Sequence, residues 1–139
     1  MDGCKILIID DDQDDVDLLK EAFTSCGVSS VHYVFTAMQA FMYLEKQVSK
    51  DTLPKLIATD LYLPGMTGTE FLKDLKRMNK YEHIPVIVLS TAKSPFEMEK
   101  YRLMGEVDYL IKPSSYEEYQ HVAQYIPSCY YNKQIKGFR

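Results

Sequence analysis

Residues 5–15 read KILIIDDDQDD, so that five residues suited to a buried strand lead directly into three consecutive aspartates, Asp10, Asp11 and Asp12. Two carboxylates about 4 Å apart repel by roughly 4 kcal/mol at an effective dielectric of about 20. A cluster of this kind is costly unless a cation shares it. This stretch therefore predicts a strand that ends at a site for a cation.

The composition is that of one globular domain. The chain has 139 residues, of which 46% are hydrophobic and 26% charged, and its net charge is −4. No apolar run approaches the ~20 residues of a membrane span, and the first residues do not form a signal peptide. We therefore expect a cytoplasmic protein that neither inserts into a membrane nor, given its charge, binds nucleic acid directly.

The cysteines do not predict a covalent framework. Cys4, Cys26 and Cys129 are odd in number, widely spaced and without a CxxC pair, which argues against both disulfides and a zinc site. We expect reduced, structural thiols.

Short β-rich runs alternate with segments of helical period. The predicted strands are Lys5–Ile9, Val31–Phe35, Leu56–Thr59, Val86–Leu89 and Val107–Ile111. Most of them lack polar alternation, as expected for a sheet that is covered on both faces. Five strands in strict alternation with five helices imply right-handed crossovers and a doubly wound parallel sheet of the α/β class.

Helix starts are marked by capping boxes, in which a Ser or Thr is followed three residues later by Glu. The pairs that fit are Thr67 with Glu70, Ser94 with Glu97, and Ser114 with Glu117. Pro95 suits the first helical position after Ser94, and Gly105 stands where that helix should end.

Four of the five predicted strands end in a reactive side chain. The first is followed by the three aspartates, the third by Asp60, the fourth by Ser90 and Thr91, and the fifth by Lys112. The carboxyl ends of parallel strands share one edge of an open sheet, and ligands bind there where the strand order reverses. We therefore expect these side chains to converge, with the second strand at the outer edge.

The expected convergence suits a metal. Asp10, Asp11 and Asp60 would form a cluster of hard oxygen ligands of the kind that Mg²⁺ prefers, and Lys112 would add a second cation. An aspartate can act as a nucleophile toward phosphorus when cations neutralise the phosphoryl oxygens. Taken singly, the acids from Asp12 onward fit a helix start and Lys112 a solvated charge. Their matching positions after four strands favour one shared site.

Four segments carry a resemblance to a known family: ILIIDDD, TDLYLPGMTG, IPVIVLSTA and DYLIKP. In order and spacing, the chain resembles the receiver domain of bacterial response regulators over residues 4 to about 127. The resemblance implies a flavodoxin-like fold whose five-stranded sheet has the order 2-1-3-4-5. We expect a receiver domain over residues 1–127 and a short C-terminal tail over 128–139, without an output domain.

The resemblance also implies the metal site. Asp60 corresponds to the aspartate that carries the phosphoryl group. Asp10 and Asp11 correspond to the acidic pair of the family, with Asp11 a direct Mg²⁺ ligand and Asp10 acting mainly through water. The backbone carbonyl of Tyr62 is the implied third protein ligand.

Further residues take catalytic and switching roles by the same resemblance. Ser90 corresponds to the hydroxyl position of the family and Lys112 to its lysine. Ser90 and Tyr109 form the implied switch, and Lys112–Pro113 is the implied cis peptide. The implied output surface comprises the fourth helix, the fifth strand and the fifth helix, and it carries Met98, Tyr101, Tyr109, Tyr116 and Tyr119.

The implied function is that of a stand-alone response regulator receiver. It would accept a phosphoryl group from a histidine kinase or a histidine phosphotransfer protein, with Mg²⁺ as cofactor. It would catalyse only its own phosphorylation and dephosphorylation, and so act as a switch in two-component phosphorelay signalling rather than as a turnover enzyme. Its output would be protein–protein contacts, of which a phosphorylation-dependent dimer is one form.

Two alternatives stay open. A phosphatase of the haloacid dehalogenase type would use Asp10 as nucleophile and Asp12 as acid, but it leaves Asp60 unexplained and the chain is too short for a cap domain. Asp14 also stands where that family usually has threonine or valine. A pseudo-receiver would bind partners without phosphorylation, against which the complete set of reactive residues argues.

Overall fold

The structure is a computed structural model that describes residues 5–28, 30–91, 99–101, 103–104 and 107–131, with side chains to residue 124. Five strands alternate with five helices. In chain order they are β1 (Lys5–Ile9), α1 (Gln13–Ser25), β2 (Ser30–Val34), α2 (Ala37–Lys50), β3 (Leu56–Asp60), α3 (Gly68–Arg77), β4 (Val86–Ser90), α4 (described at residues 99–101), β5 (Val107–Ile111) and α5 (Tyr116–Tyr131).

The strands form one parallel sheet in the order β2-β1-β3-β4-β5, which confirms the predicted topology and places β2 at an edge. Ile9 is in register with Thr59, Asp60 with Leu89, and Ser90 with Ile111. Because all five strands run the same way, their carboxyl ends meet at one edge. The side chains that follow β1, β3, β4 and β5 are thereby brought to that edge.

Both faces of the sheet are covered, which explains the continuous apolar runs in the strands. Leu7 and Ile9 of β1 pack with side chains of α2, α3 and α4, whereas Ile6 and Ile8 pack on the opposite face with α1 and α5. Alternate residues of each strand therefore enter two separate cores, and α1 and α5 lie side by side on one of them.

Two helix starts agree with the predictions. Asp12 caps α1, because its Oδ1 accepts hydrogen bonds from the backbone N–H groups of Asp14 (3.0 Å) and Asp15 (3.3 Å). Thr67 and Glu70 form the predicted capping box at the start of α3. The boundaries of these helices thus follow from local side-chain chemistry.

The capping box predicted for Ser114 and Glu117 is wrong by one residue. The backbone N–H of Glu118 donates to Ser115 Oγ at 3.2 Å, and the Glu118 carboxylate accepts from the Ser114 N–H at 2.8 Å. Helix α5 begins at Tyr116, so its third residue is Glu118. The features predicted at Ser94, Glu97, Pro95 and Gly105 lie outside the described residues.

Two strands are longer than predicted, and the difference matters for the site. β3 extends to Asp60 and β4 to Ser90, so each reactive side chain belongs to the last residue of its strand. β2 runs one residue earlier than predicted at both ends. Helix α5 continues to Tyr131, past the end predicted for the domain at residue 127, and that domain boundary stays a prediction.

Two expectations about the region around β5 are wrong. No cis peptide bond occurs among the described residues, so Lys112–Pro113 is trans, the isomer that X–Pro bonds generally prefer. Tyr101, Tyr109 and Tyr119 are buried and belong to the two cores, rather than to an exposed output surface. Of the remaining predicted surface residues, Tyr116 is half-buried and Met98 lies outside the described residues.

The described helices include none with the length and apolar character that a membrane span requires. Cys26 is a free, half-buried thiol, as predicted. The side chains of Cys4 and Cys129 lie outside the described part of the chain.

Candidate functional site

An acidic cluster lies at the carboxyl edge of the sheet. One carboxylate oxygen from each of Asp10, Asp11 and Asp60 lies within 4.8 Å of the others. Asp10 is buried, Asp60 is half-buried and Asp11 is exposed, so the cluster opens to solvent on one side. A set of three hard oxygen donors with one open side fits Mg²⁺, which keeps several waters when it binds to protein carboxylates. Asp12, occupied in capping α1, is not part of the cluster.

Backbone hydrogen bonds hold Asp10 and Asp60 in place. The Asp10 N–H donates to the carbonyl of Val34 on β2 at 3.1 Å, and Asp10 Oδ1 accepts from the Asp12 N–H at 2.9 Å. Asp60 Oδ1 accepts from the Leu61 N–H at 2.7 Å. In both Asp10 and Asp60, the main chain therefore fixes Oδ1. The Oδ2 atom of each faces the ammonium of Lys112.

Lys112 enters the cluster from the end of β5. Its Nζ lies 2.9 Å from Asp10 Oδ2, 2.8 Å from Asp15 Oδ2 and 3.6 Å from Asp60 Oδ2, and its side chain is only 10% exposed. The Lys112 N–H donates to the Ser90 carbonyl at 2.7 Å, which ties the base of the side chain to β4. The ammonium is thus shared among carboxylates that come from three different segments.

The electrostatics of the site follow from burial and from this shared cation. Burial raises the pKa values of Asp10 and Asp60 above their ordinary range, although Lys112 and backbone hydrogen bonds partly oppose the change. Burial alone would lower the pKa of Lys112, but hydrogen bonds to Asp15 and Asp10 outweigh it, so that the pKa rises above its ordinary value. The lysine therefore stays charged, and a further cation would stabilise the ionised carboxylates of the acidic cluster.

The contact between Asp15 and Lys112 is not predicted by the sequence. The sequence places Asp15 among several acids at a helix start, yet it makes the shortest contact to Lys112. Its other oxygen, Oδ1, accepts a hydrogen bond of 3.0 Å from the hydroxyl of Tyr119 on α5, 104 residues away in sequence. No local pattern separates Asp15 from its acidic neighbours, so only the packing of α1 against α5 identifies it.

The remaining predicted site residues, Ser90, Tyr62 and Tyr109, differ in burial. Ser90 is fully buried at the end of β4. Tyr62 is 61% exposed, and its backbone N–H, like that of Leu61, lowers the pKa of Asp60 by hydrogen bonding. Tyr109 is buried and its ring stacks on that of Tyr101, with centroids 5.7 Å apart.

Helix α4 is linked to α3 beside this aromatic pair. The hydroxyl of Tyr101 shares a short hydrogen bond with that of Thr69 on α3. The stacked rings of Tyr101 and Tyr109 therefore connect β5, α4 and α3 within one core.

The loop after Asp60 is held by a close approach of two backbones. The Gly68 N–H donates to the Leu61 carbonyl at 2.7 Å, and a Cβ at Gly68 would lie only 2.6 Å from that oxygen. Gly65, in the same loop, has a φ of +81°. A glycine at 68 thus allows the start of α3 to sit against the strand end that carries Asp60.

The sequence matches the family described as response regulator receiver domain over residues 6–124. This chain belongs to that family. Receiver domains bind Mg²⁺ at an acidic pocket, interact with histidine kinases or phosphotransfer proteins, and act as phosphoacceptor switches rather than as classical enzymes. The phosphatase alternative is therefore no longer needed to explain Asp10, and the acidic cluster of this receiver domain has the expected composition.

Relatives of this receiver domain include regulators from plants and bacteria. The two-component response regulator ORR1 of Oryza sativa subsp. indica is 30% identical over 128 residues, which cover 89% of this chain and 55% of that protein. The chain thus spans about half the length of that relative. The regulator ORR8 of the same subspecies is 29% identical, with 91% of this chain and all of that protein covered.

A solved structure has the same fold. The phosphorylated cyanobacterial phytochrome response regulator RcpA superposes with a TM-score of 0.81 at 26% identity, and the alignment covers 94% of this chain and 95% of that one. The likeness extends over nearly the whole chain.

Proposed function

We propose that this receiver domain accepts a phosphoryl group on Asp60 from a phosphohistidine of a histidine kinase or phosphotransfer protein, in a Mg²⁺-dependent reaction. The observation that carries the proposal is the environment of Asp60. Its Oδ1 accepts from the Leu61 N–H, and its Oδ2 lies 3.6 Å from the Lys112 ammonium. One of its two oxygens also lies within 4.8 Å of carboxylate oxygens of Asp10 and Asp11. Lys112 and a bound metal ion could therefore both lie near Asp60, on the side away from the Leu61 hydrogen bond.

The ligands for Mg²⁺ would be the carboxylates of Asp10, Asp11 and Asp60, with the backbone carbonyl of Tyr62 as a further protein ligand. Asp11, the exposed member, would bind the metal directly, and Asp10 mainly through water. The bound metal would neutralise negative charge on the phosphoryl oxygens. The raised pKa values of Asp10 and Asp60 support this assignment, because burial disfavours the carboxylates in the absence of a further cation.

The chemistry required of the chain is limited. An oxygen of Asp60 attacks phosphorus, the bond between phosphorus and the donor imidazole nitrogen breaks, and that nitrogen keeps the electron pair and takes up a proton. Lys112 and the hydroxyl of Ser90 would stabilise the phosphoryl oxygens during the transfer. A water oxygen later attacks phosphorus, which releases inorganic phosphate and restores the Asp60 carboxylate.

The output would pass through Ser90 and Tyr109 to protein contacts. Ser90 is buried beside the site, and the Tyr109 ring is stacked on Tyr101, whose hydroxyl bonds to α3. A shift of the Ser90 hydroxyl toward the phosphoryl group would change the packing of Tyr109 and of the Tyr101 ring stacked on it, and so the contacts that link β5 to α4 and α3. We propose residues 1–127 as the receiver unit, and a phosphorylation-dependent dimer as one form of its output.

The test is the intact mass of the protein after incubation with Mg²⁺ and acetyl phosphate. We expect the gain of one phosphoryl group, which requires Mg²⁺ and is absent in Asp60→Asn. Asp17→Asn is the matched control, because Asp17 is exposed on α1 and should be labelled like the wild type.

Two other results would contradict the proposal. An unlabelled wild type, with small donors and with a range of histidine kinases, would indicate a pseudo-receiver. A label that survives Asp60→Asn but not Asp10→Asn would instead place the acceptor on Asp10, as in the phosphatase alternative.

A further inference from the structure

We propose that Asp15, fixed by Tyr119, is a positioning residue that competes with Asp60 for the Lys112 ammonium and thereby slows phosphorylation. The inference rests on the proposed function of Asp60. It concerns a carboxylate outside the predicted set of reactive residues, which comprises Asp10, Asp11, Asp60, Ser90 and Lys112.

Both oxygens of Asp15 are committed to partners from distant segments. Oδ2 lies 2.8 Å from Lys112 Nζ, and Oδ1 accepts the hydrogen bond of 3.0 Å from the Tyr119 hydroxyl. The Asp15 side chain is 27% exposed, compared with 10% for that of Lys112, so the pair is largely shielded from water. Charge-assisted hydrogen bonds of this length are strong ones when they are shielded.

The backbone also limits the freedom of Asp15. Its N–H donates to the carboxylate of Asp12 in the first turn of α1. Tyr119 of α5 is buried in the core that includes residues of α1, and this packing limits the movement of its ring. Burial, and then the charge of Asp15, raise the pKa of the Tyr119 hydroxyl, so that it remains a donor to Asp15. Asp15 is thus held where it faces Lys112.

The distances indicate competition for one ammonium. Lys112 makes its two short contacts with Asp15 and Asp10, whereas the contact with Asp60 is longer by several tenths of an ångström. An ammonium has three N–H donors, two of which serve Asp15 and Asp10, and Nζ lies 3.6 Å from Asp60 Oδ2. Nζ must therefore move toward Asp60, and away from Asp15, for the third donor to form a short hydrogen bond with a phosphoryl group there. Attraction to Asp15 therefore opposes the movement of Lys112 toward Asp60.

The experiment compares Asp15→Asn with Asp14→Asn. Both substitutions remove one negative charge from the first turn of α1, but the side chain of Asp14 is exposed, and no ion pair joins it to Lys112 among the described residues. Phosphorylation by acetyl phosphate is followed over time by intact mass, at saturating Mg²⁺ and over a range of donor concentrations.

We expect Asp15→Asn to raise the maximal rate about three- to tenfold, in the range of coupling within one ion-pair network. The donor concentration at half-maximal rate should stay the same, because Asp15 does not contact the donor in this scheme. Asp14→Asn should match the wild type. Asp15→Glu, which keeps the charge, should be closer in rate to the wild type than to Asp15→Asn.

The two proposals fail in different ways. If the wild type gains no phosphoryl group, the function proposed for Asp60 is wrong, and so is the role proposed for Asp15. If the wild type is labelled but Asp15→Asn is unchanged or slower, or if Asp14→Asn is accelerated equally, the role of Asp15 alone is wrong. A change only in the donor concentration at half-maximal rate would also contradict competition for Lys112.

Discussion

The ammonium of Lys112 lies 2.9 Å from Oδ2 of Asp10, and the two side chains are only 10% and 8% exposed. This contact joins the loop after β5 to the end of β1 across the width of β3 and β4. The site is therefore assembled by a buried ion pair, and its charges are coupled to the stability of the fold.

Replacing Lys112 with glutamine should destabilise the protein. The substitution leaves the carboxylates of Asp10, Asp15 and Asp60 without their shared cation, and breaking a buried pair costs about 3 kcal/mol. The free energy of unfolding, measured by urea denaturation without Mg²⁺, should fall by about that amount, and added Mg²⁺ should recover part of it. Lys46→Gln on the exposed face of α2 is the control and should show no measurable loss.

Replacing Asp60 with asparagine should have the opposite effect on stability. Burial raises the pKa of Asp60 above its ordinary value of 3.8, so ionisation of this residue opposes folding. The asparagine can still accept the Leu61 hydrogen bond. We expect a higher melting temperature than that of the wild type at neutral pH without Mg²⁺.

The stability difference between Asp60→Asn and the wild type should depend on pH in a definite direction. Because the folded-state pKa is raised, the advantage of Asp60→Asn should be least below pH 3.8 and should grow as the pH rises through the raised pKa. Melting curves of both proteins across this range provide the measurement. An advantage that shrinks with rising pH would mean that Lys112 outweighs burial at Asp60.

The close approach at Gly68 predicts a difference between two glycine substitutions. In Gly68→Ala the new Cβ would lie 2.6 Å from the Leu61 carbonyl oxygen and 3.0 Å from that of Asp60, so the loop must move. We expect a loss of about 2 kcal/mol in stability together with weaker Mg²⁺ binding. Urea denaturation measures the loss of stability, and calorimetry measures the change in Mg²⁺ affinity.

Gly65→Ala is the contrast within the same loop. Its Cβ would meet nothing within 4 Å, but the φ of +81° disfavours alanine. We expect a loss of about 1 kcal/mol with unchanged Mg²⁺ affinity, because the conformational cost stays within the turn. Equal effects of the two variants on Mg²⁺ binding would show that the approach at Gly68 does not position Asp60.

Asp11 and Asp12 are adjacent, carry the same charge and should differ in metal binding. Asp11→Asn removes a member of the carboxylate cluster, and we expect the dissociation constant for Mg²⁺ to rise by about tenfold or more. Asp12→Asn keeps the cap of α1, since asparagine caps as well as aspartate, and should change that constant by less than about twofold. Isothermal titration calorimetry with Mg²⁺ measures both, and a larger effect at Asp12 would exclude the assigned ligand set.

Several features could be predicted because their causes are local. Apolar runs identified all five strands, and the cap at Asp12 and the box at Thr67 and Glu70 placed two helix starts. The same apolar runs placed Asp10, Asp60, Ser90 and Lys112 at or directly after strand ends, and a parallel sheet directs every carboxyl end to one edge. In these cases, spacing along the chain contains the physical information.

Other features depend on contacts between distant segments. Asp15 differs from its acidic neighbours only because α5 brings Tyr119 against it and β5 delivers Lys112. The burial of Tyr101 and Tyr109 depends on how α4 packs on β5, which no periodicity specifies. Residue type and spacing were sufficient to predict the fold and the acidic cluster. Long-range packing determined which carboxylates share Lys112, because an ammonium pairs with the oxygens that the fold brings nearest to it.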